Sequence, residues 1–190
     1  MSQVTIREHQ SSSYGPRTWE NAGKGDVTVA FAVDFETAGE KLTHRAAGEK
    51  YTGIRIGRDL MTAEHALSAA RQLFSFMRQK KARCLNVAGN GIYTLSRHGM
   101  DQQVVNRFVA SVVCKVHAHW HLNLVVSGGQ TGIDIAGGVA GVLAGVPIEL
   151  TLPKGYLQRH EDKIDRLHTR TEIEEQVLEG AAVLKGKLLI

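Results

Sequence analysis

The sequence predicts an α/β protein in which a parallel sheet carries helices on both faces. Three observations carry that prediction. Strand-like and helix-like segments alternate from Cys84 onward, the pattern that builds parallel sheets with right-handed crossovers. Glycines cluster at 128–145, where a short apolar strand runs straight into a helix. The chain has 190 residues, enough to bury a sizeable core without disulfide or metal staples.

The elements follow in order. Residues 1–25 are rich in Ser, Gly and Thr without periodicity and read as a tail or surface loop. Over 27–35, Val27, Val29, Phe31, Val33 and Phe35 alternate with Thr28, Ala30, Ala32 and Asp34, which predicts a strand. Residues 36–50 scatter Glu36, Glu40, Lys41, Arg45, Glu49 and Lys50 among small residues, a charged loop with room for a short helix. A second short strand covers 51–56. Ala63, Ala66, Leu67, Ala70, Leu73, Phe74 and Met77 are spaced for a helix over 61–81.

Residues 84–88 read as a buried strand and Asn90-Gly91 as a turn. Asp101 is placed to cap a helix whose stripe is Val104, Val105, Phe108, Val109, Val112, Val113 and Val116. Strand 122–126, helix 133–144 and strand 147–152 follow. Thr169 and Glu172 make a capping-box pattern that opens a helix to about residue 178. Val183-Leu184 and residues 188–190 are candidate final strand segments. The expected organisation is one compact unit: an N-terminal tail and extra strands from 1–60, packed on a core formed by 61–190.

Composition sets bounds on function. A net charge of +4 and 6% aromatic residues argue against a nucleic-acid groove, which needs a basic stripe with stacking rings. The polar N-terminus has no apolar signal region. The longest uncharged run, 135–148, falls short of the ~20 residues that span a bilayer. Cys84 and Cys114 sit in apolar runs without metal-ligand spacing, so free thiols in a reducing, cytoplasmic setting are expected. His117 and His121 share a helical face as a metal pair would. They also stand at a helix end, where imidazoles suit the dipole. No metal site is expected.

The chemistry concentrates in Ser127-Gly128-Gly129-Gln130-Thr131-Gly132. The first amides of a helix lack intrahelical partners and lie at the positive end of its dipole, which suits a phosphate. Glycines there let backbone approach a ligand closely. The segment is neither a Walker A loop nor a GxGxxG fingerprint. In the following helix Gly137, Gly138 and Gly141 each cost about 1 kcal/mol against Ala. Close packing on the sheet or on another helix accounts for them, and so does a subunit interface. Asp34, Glu36, Glu40 and Asp134 are the carboxylates placed for acid–base work.

At these residues the chain resembles the SLOG superfamily of Rossmann-like proteins, which includes the DNA-processing DprA proteins, YpsA-like proteins, LOG enzymes and molybdenum-cofactor carriers. Ser127 to Asp134 is similar to their S-G-G-x-x-G-x-D turn, in the S-G-G-Q-T-G form of the carriers. Pro153-Lys154-Gly155 resembles a later P-K-G, Arg170-Thr171 a later R-T, and Gly89-Asn90-Gly91 the first ligand-side turn of the DprA type. The likeness covers about residues 84–185. The P-G-G-x-G-T-x-x-E motif of LOG phosphoribohydrolases is absent.

The resemblance implies a pocket beyond the carboxyl ends of the strands. Ser127, Gly128, Gly129, Gln130, Thr131 and Gly132 would hold a phosphate. Gly89, Asn90 and Gly91 would form the opposite lip, and Pro153, Lys154, Gly155 and Arg159 a third side. Asp134 would accept from a ribose hydroxyl or hold the turn itself, and Tyr93 would stack on a base or serve as a half-buried packing residue. The leading expectation is therefore a sensor, carrier or sequestering protein for a phosphate-bearing, nucleotide-derived small molecule, in a homo-oligomer. The alternatives are a hydrolase or transferase acting on a nucleotide or ADP-ribose derivative, with Asp34, Glu36, Glu40 or Asp134 as acid or base, a molybdenum-cofactor carrier, and a DprA-like single-strand DNA module.

Overall fold

The computed structural model describes residues 3–189. In chain order the elements are β1 (Val4–Glu8), α1 (Tyr14–Lys24), β2 (Val27–Ala32), α2 (Ala38–Ala47), β3 (Tyr51–Arg55), α3 (Ala63–Lys80), β4 (Cys84–Gly89), α4 (Ile92–Ser96), α5 (Gln102–His119), β5 (Leu124–Ser127), α6 (Ile133–Ala144), β6 (Ile148–Leu152), β7 (Gln158–Arg159), β8 (Asp165–Arg166) and α7 (Arg170–Leu184). Six strands form one parallel sheet in the order β1-β6-β5-β4-β2-β3, while β7 and β8 make a small antiparallel hairpin. This is a Rossmann-like three-layer α/β fold.

Alternate residues of β4 show which helices lie on which face. Leu85 and Val87 join the core built with α3, α5 and α6. Asn86 and Ala88 face the other way, towards α1 and α2. A second apolar cluster joins Ile6 of β1 and the strand β6 to α6 and α7 through Ile148, Leu150, Val139, Ile173 and Val177. The first helical layer is therefore α3, α5, α6 and α7, and the second is α1 and α2.

The glycine-rich helix is where packing is tightest. A Cβ on Gly137 would stand 2.8 Å from Val87, one on Gly141 2.5 Å from Ile148, and one on Gly138 3.0 Å from Val177. Three missing side chains thus let α6 press onto β4, β6 and α7. Residues from Ile133 through Gly141 are buried by their own chain, which leaves this face of α6 no role as a subunit surface.

Several expectations need correction. Of the stretch 1–25, the described residues 3–25 are not a tail, because they hold the edge strand β1, paired along its length with β6, and the helix α1. The charged stretch after β2 is a full helix, α2, capped by the Thr37 side chain. Both helices were hard to see because their inner faces are polar: Arg17 and Asn21 on α1, Glu40 and Thr43 on α2. Residues 1–60 also supply β2, which lies inside the sheet between β3 and β4.

The last strand segments are absent too. Val183-Leu184 ends α7, and Leu188 and Leu189 pack on the core as irregular chain. Ile190 lies outside the described residues. The Asp101 cap and the Thr169–Glu172 capping box are both present.

Candidate functional site

The chain leaves β2 sideways to β3 and returns on the other side to β4, so the strand order reverses between β2 and β4. Such a reversal opens a crevice at the carboxyl ends of the strands. A cleft of about 400 Å³ lies there, walled by α1, α2 and α4, floored by β4, and rimmed by the glycine turn and the β7–β8 hairpin.

Its mouth is held together by Asn90. The Asn90 Oδ1 accepts from the amides of Val33 (2.8 Å) and Asp34 (3.0 Å), and its Nδ2 donates to the Asp34 carbonyl at 2.9 Å. The Asn90 carbonyl accepts from the Ile133 amide at 3.2 Å. One residue, through its side chain and its carbonyl, therefore ties the segment after β2 and the end of β4 to the start of α6. Gly91 bridges Gly132, where a φ of +98° and the 2.6 Å at which a Cβ would stand from the Asn90 carbonyl admit only glycine.

The glycine turn differs from its expected role. Its amides are engaged inside the protein: Thr131 donates to Gln130 Oε1 (3.0 Å), Gly132 to Gln102 Oε1 (2.6 Å) and Ile133 to Asn90. The Gln130 amide donates to the Asp134 carboxylate. Gly128, Gly129 and Gly132 are buried. The amides from Gln130 to Ile133 thus hold the turn's own shape and are not presented to an anion. Ser127 is fully buried, with its Oγ within hydrogen-bond distance of the Val87 and Asp134 carbonyls, at 2.7 and 2.9 Å.

The turn nevertheless borders the cleft. Gly128, Gln130, Thr131 and Asp134 line it, together with Gly89, Asn90, Gly91, Tyr93 and Arg159. The remaining candidates lie elsewhere. Gly129 sits behind the turn against Leu152, with its carbonyl accepting from Gln158 at 2.7 Å. Pro153, just after β6, is buried, and Lys154 is exposed. The Lys154 amide bonds Ser11 and the Gly155 amide bonds Glu8, so this segment fastens the N-terminal strand and does not close the pocket. Glu36 is exposed and pairs with Lys41 at 2.9 Å. Asp34 caps the Glu36 amide at 2.8 Å beside the cleft.

The residues that complete the site come from α1 and α2. Arg17 pairs with Asp134 at 2.9 Å, with both side chains largely buried, and the guanidinium lies over Gly128. Glu40 is 2% exposed. Burial, then the Asp134 and Asp34 charges, push its carboxyl up to about 8, while a hydrogen bond from the Tyr51 hydroxyl pulls the other way. Burial likewise raises Asp134, opposed by Arg17. The only sequence signal for this group was Glu40 as one weak acid–base candidate. Arg17 and Asn21 lay in the stretch read as a tail.

Among the described residues, four buried side-chain atoms have no hydrogen-bond partner: Arg17 Nε, Asn21 Oδ1, Glu40 Oε2 and Asn86 Oδ1. All four residues line this one cleft. Buried polar atoms are rarely left unpaired, and a cluster of them marks a place completed by something else.

At the mouth the hairpin supplies cations. Arg159 makes a two-pronged pair with Asp165 (2.7 and 2.9 Å), and its guanidinium lies 5.4 Å from the Tyr14 ring centre. Lys163 lies 5.3 Å from the Tyr93 ring centre. The hairpin is clipped to the turn, since the Arg159 amide donates to Gln130 Oε1 at 2.6 Å and Thr131 Oγ1 donates to the Arg159 carbonyl.

Cys84 and Cys114 are free, half-buried thiols, each pushed up to about 11 by burial, which keeps them protonated and unreactive. His117 accepts from the Leu122 amide at 3.1 Å. Among the described residues no three metal-ligating side chains converge, and no helix is long and apolar enough to cross a membrane. No protein-family model, curated protein or solved structure matches the chain.

Proposed function

We propose that this protein binds a phosphate-bearing, nucleotide-derived small molecule in the cleft between α1, α2 and the carboxyl ends of β2, β4 and β5. One observation carries the proposal: four unpartnered, buried polar atoms on Arg17, Asn21, Glu40 and Asn86 face one cavity. A ligand with both donors and acceptors satisfies them. The glycine turn shapes the rim, and the phosphate falls to Arg159 and Lys163 at the mouth. Tyr14, flanked by Arg17 and Arg159, and Tyr93, flanked by Arg97 and Lys163, line the cleft and offer rings on which a base stacks.

The protein then acts as a sensor, carrier or sequestering module, in line with SLOG membership and with a cytoplasmic site for a chain bearing two free thiols. A molybdenum-cofactor carrier is one case, which a fluorescent pterin copurifying with the protein would reveal. A homo-oligomer is part of the proposal, and light scattering on the purified protein tests it. The experiment for the whole reading is mass spectrometry of small molecules released from purified protein, with a thermal-shift screen of nucleotides and ADP-ribose. Stabilisation that disappears in Arg159→Ala/Lys163→Ala supports the assignment. No stabilisation by any phosphorylated nucleoside overturns it.

A second reading, hydrolysis or transfer on such a ligand, is favoured by the pair of buried carboxyls Glu40 and Asp134 in one cleft. Incubation followed by product analysis separates it from binding alone.

A further inference from the structure

We infer that the buried end of the cleft recognises a vicinal diol, as on a ribose-type sugar, with Glu40 as the residue that sets this preference. The inference rests on the proposed nucleotide-type ligand and specifies which end of it is buried.

The argument counts donors and acceptors. The Asn86 Nδ2 donates to Thr28 Oγ1 at 3.0 Å and the Asn21 Nδ2 to the Thr151 carbonyl at 3.5 Å. With the amides so placed, each leaves an unpartnered oxygen, which is an acceptor only. Arg17 leaves its Nε–H, which is a donor only. Arg17 and Asn21 stand four residues apart on α1 and so share a face.

Glu40 decides the balance. Its surroundings hold Asp134 from α6, Asp34 from the segment after β2 and Tyr51 from β3, with Arg17 of α1 lining the same cleft. Two buried carboxyls thus share one guanidinium, and that guanidinium is paired with Asp134. A second buried negative charge would have no counterion, so the proton stays on Glu40. The Tyr51 hydroxyl takes one of the two carboxyl oxygens, and Oε2 has no partner. Oε2 therefore presents an O–H.

The free set is then two donors, Arg17 Nε and Glu40 Oε2, and two acceptors, Asn21 Oδ1 and Asn86 Oδ1. Each hydroxyl group offers one donor and at least one acceptor, so two hydroxyls satisfy all four atoms. A phosphate offers acceptors alone, leaves both Asn oxygens unpaired and faces the acidic pair, so it belongs at the mouth. Loss of either hydroxyl strands one buried donor and one buried acceptor. A site built to bond a substrate hydroxyl rejects the analogue that lacks it.

The test titrates the protein calorimetrically with the four 5′-ribonucleotides, ADP-ribose and ribose 5-phosphate, each beside its 2′- or 3′-deoxy counterpart, at pH 7 and pH 9. The expected result at pH 7 is a preference for the diol of roughly ten- to a hundredfold. At pH 9 Glu40 ionises, its O–H is gone and the preference shrinks. In Glu40→Gln, whose amide keeps a donor, the preference stays level between the two pH values. The ribo-against-deoxy comparison needs no variant, so it stands even if Glu40→Gln misfolds. Equal affinity for diol and deoxy forms overturns the inference while leaving nucleotide binding intact. A preference unchanged in the wild type between pH 7 and pH 9 overturns the role of Glu40. No binding by any compound overturns the nucleotide-type reading, and the diol assignment with it.

Discussion

Replacing Glu40 by Gln should make the protein more stable at alkaline pH and leave it nearly unchanged near pH 4.5. Glu40 titrates at an ordinary 4.5 in the unfolded chain and at about 8 in the folded one. Between those values the folded state holds a proton that the unfolded state has released, so stability falls as pH rises through the window. Below 4.5 both states are protonated and the penalty is absent; above 8 it is complete. The displacement corresponds to about 5 kcal/mol as a ceiling. With the side chain 2% exposed, solvent screening does little to reduce it, but relaxation around a buried acid brings the expected gain to roughly 2–5 kcal/mol. Gln removes the ionisation and keeps the shape. Urea unfolding at pH 5, 7 and 9 measures the gap directly. A chain of this length converts each kcal/mol into roughly 2–4 °C of Tm. If wild type and Glu40→Gln lose stability in parallel from pH 5 to pH 9, the buried-acid account of this cleft is wrong.

Three further outcomes follow from the geometry. Arg17→Met leaves Asp134 buried without a counterion and should destabilise by roughly 3–5 kcal/mol in urea unfolding, with part of the loss recovered in Arg17→Met/Asp134→Asn. Gly137→Ala gains helix propensity, yet its Cβ would stand 2.8 Å from Val87; the net effect should be a loss of about 1–3 kcal/mol by thermal denaturation. Lys154→Ala should leave nucleotide binding unchanged while Arg159→Ala weakens it, because only Arg159 lines the cleft; calorimetric titration of both variants decides between them.

The fold was legible wherever a buried face was apolar. The stripe from Val104 to Val116 gave α5, and the alternation from Val27 gave β2. What stayed hidden was hidden for a physical reason. The α1 and α2 faces that turn inward meet a cleft, so they carry Arg17, Asn21, Glu40 and Thr43, and periodicity analysis scores such residues as solvent-facing. The glycine turn was legible as a strand–helix junction beside a pocket. Its donors were not, because Gln102 and Asn90, which engage the amides of Gly132 and Ile133, lie 30 and 43 residues upstream in the sequence and meet the turn only in the folded chain.

The engaged amides show how the rim is built. A turn whose amides were free would bind anions and would also be loose. Here Gln102, Gln130 and Asn90 fix the turn, and Thr131 and Gln130 fasten the hairpin that carries Arg159. The rigidity of the rim uses up backbone donors, and in the proposed site recognition falls to side chains. Those side chains bear the cost. Each unpaired buried polar atom is worth about 1–3 kcal/mol against folding, and four of them face one cavity. A fold assembled for stability alone would have filled that space with the apolar residues it uses between β4 and α6. That it holds Arg17, Asn21, Glu40 and Asn86 instead is the ground for proposing a ligand site on this face of the sheet.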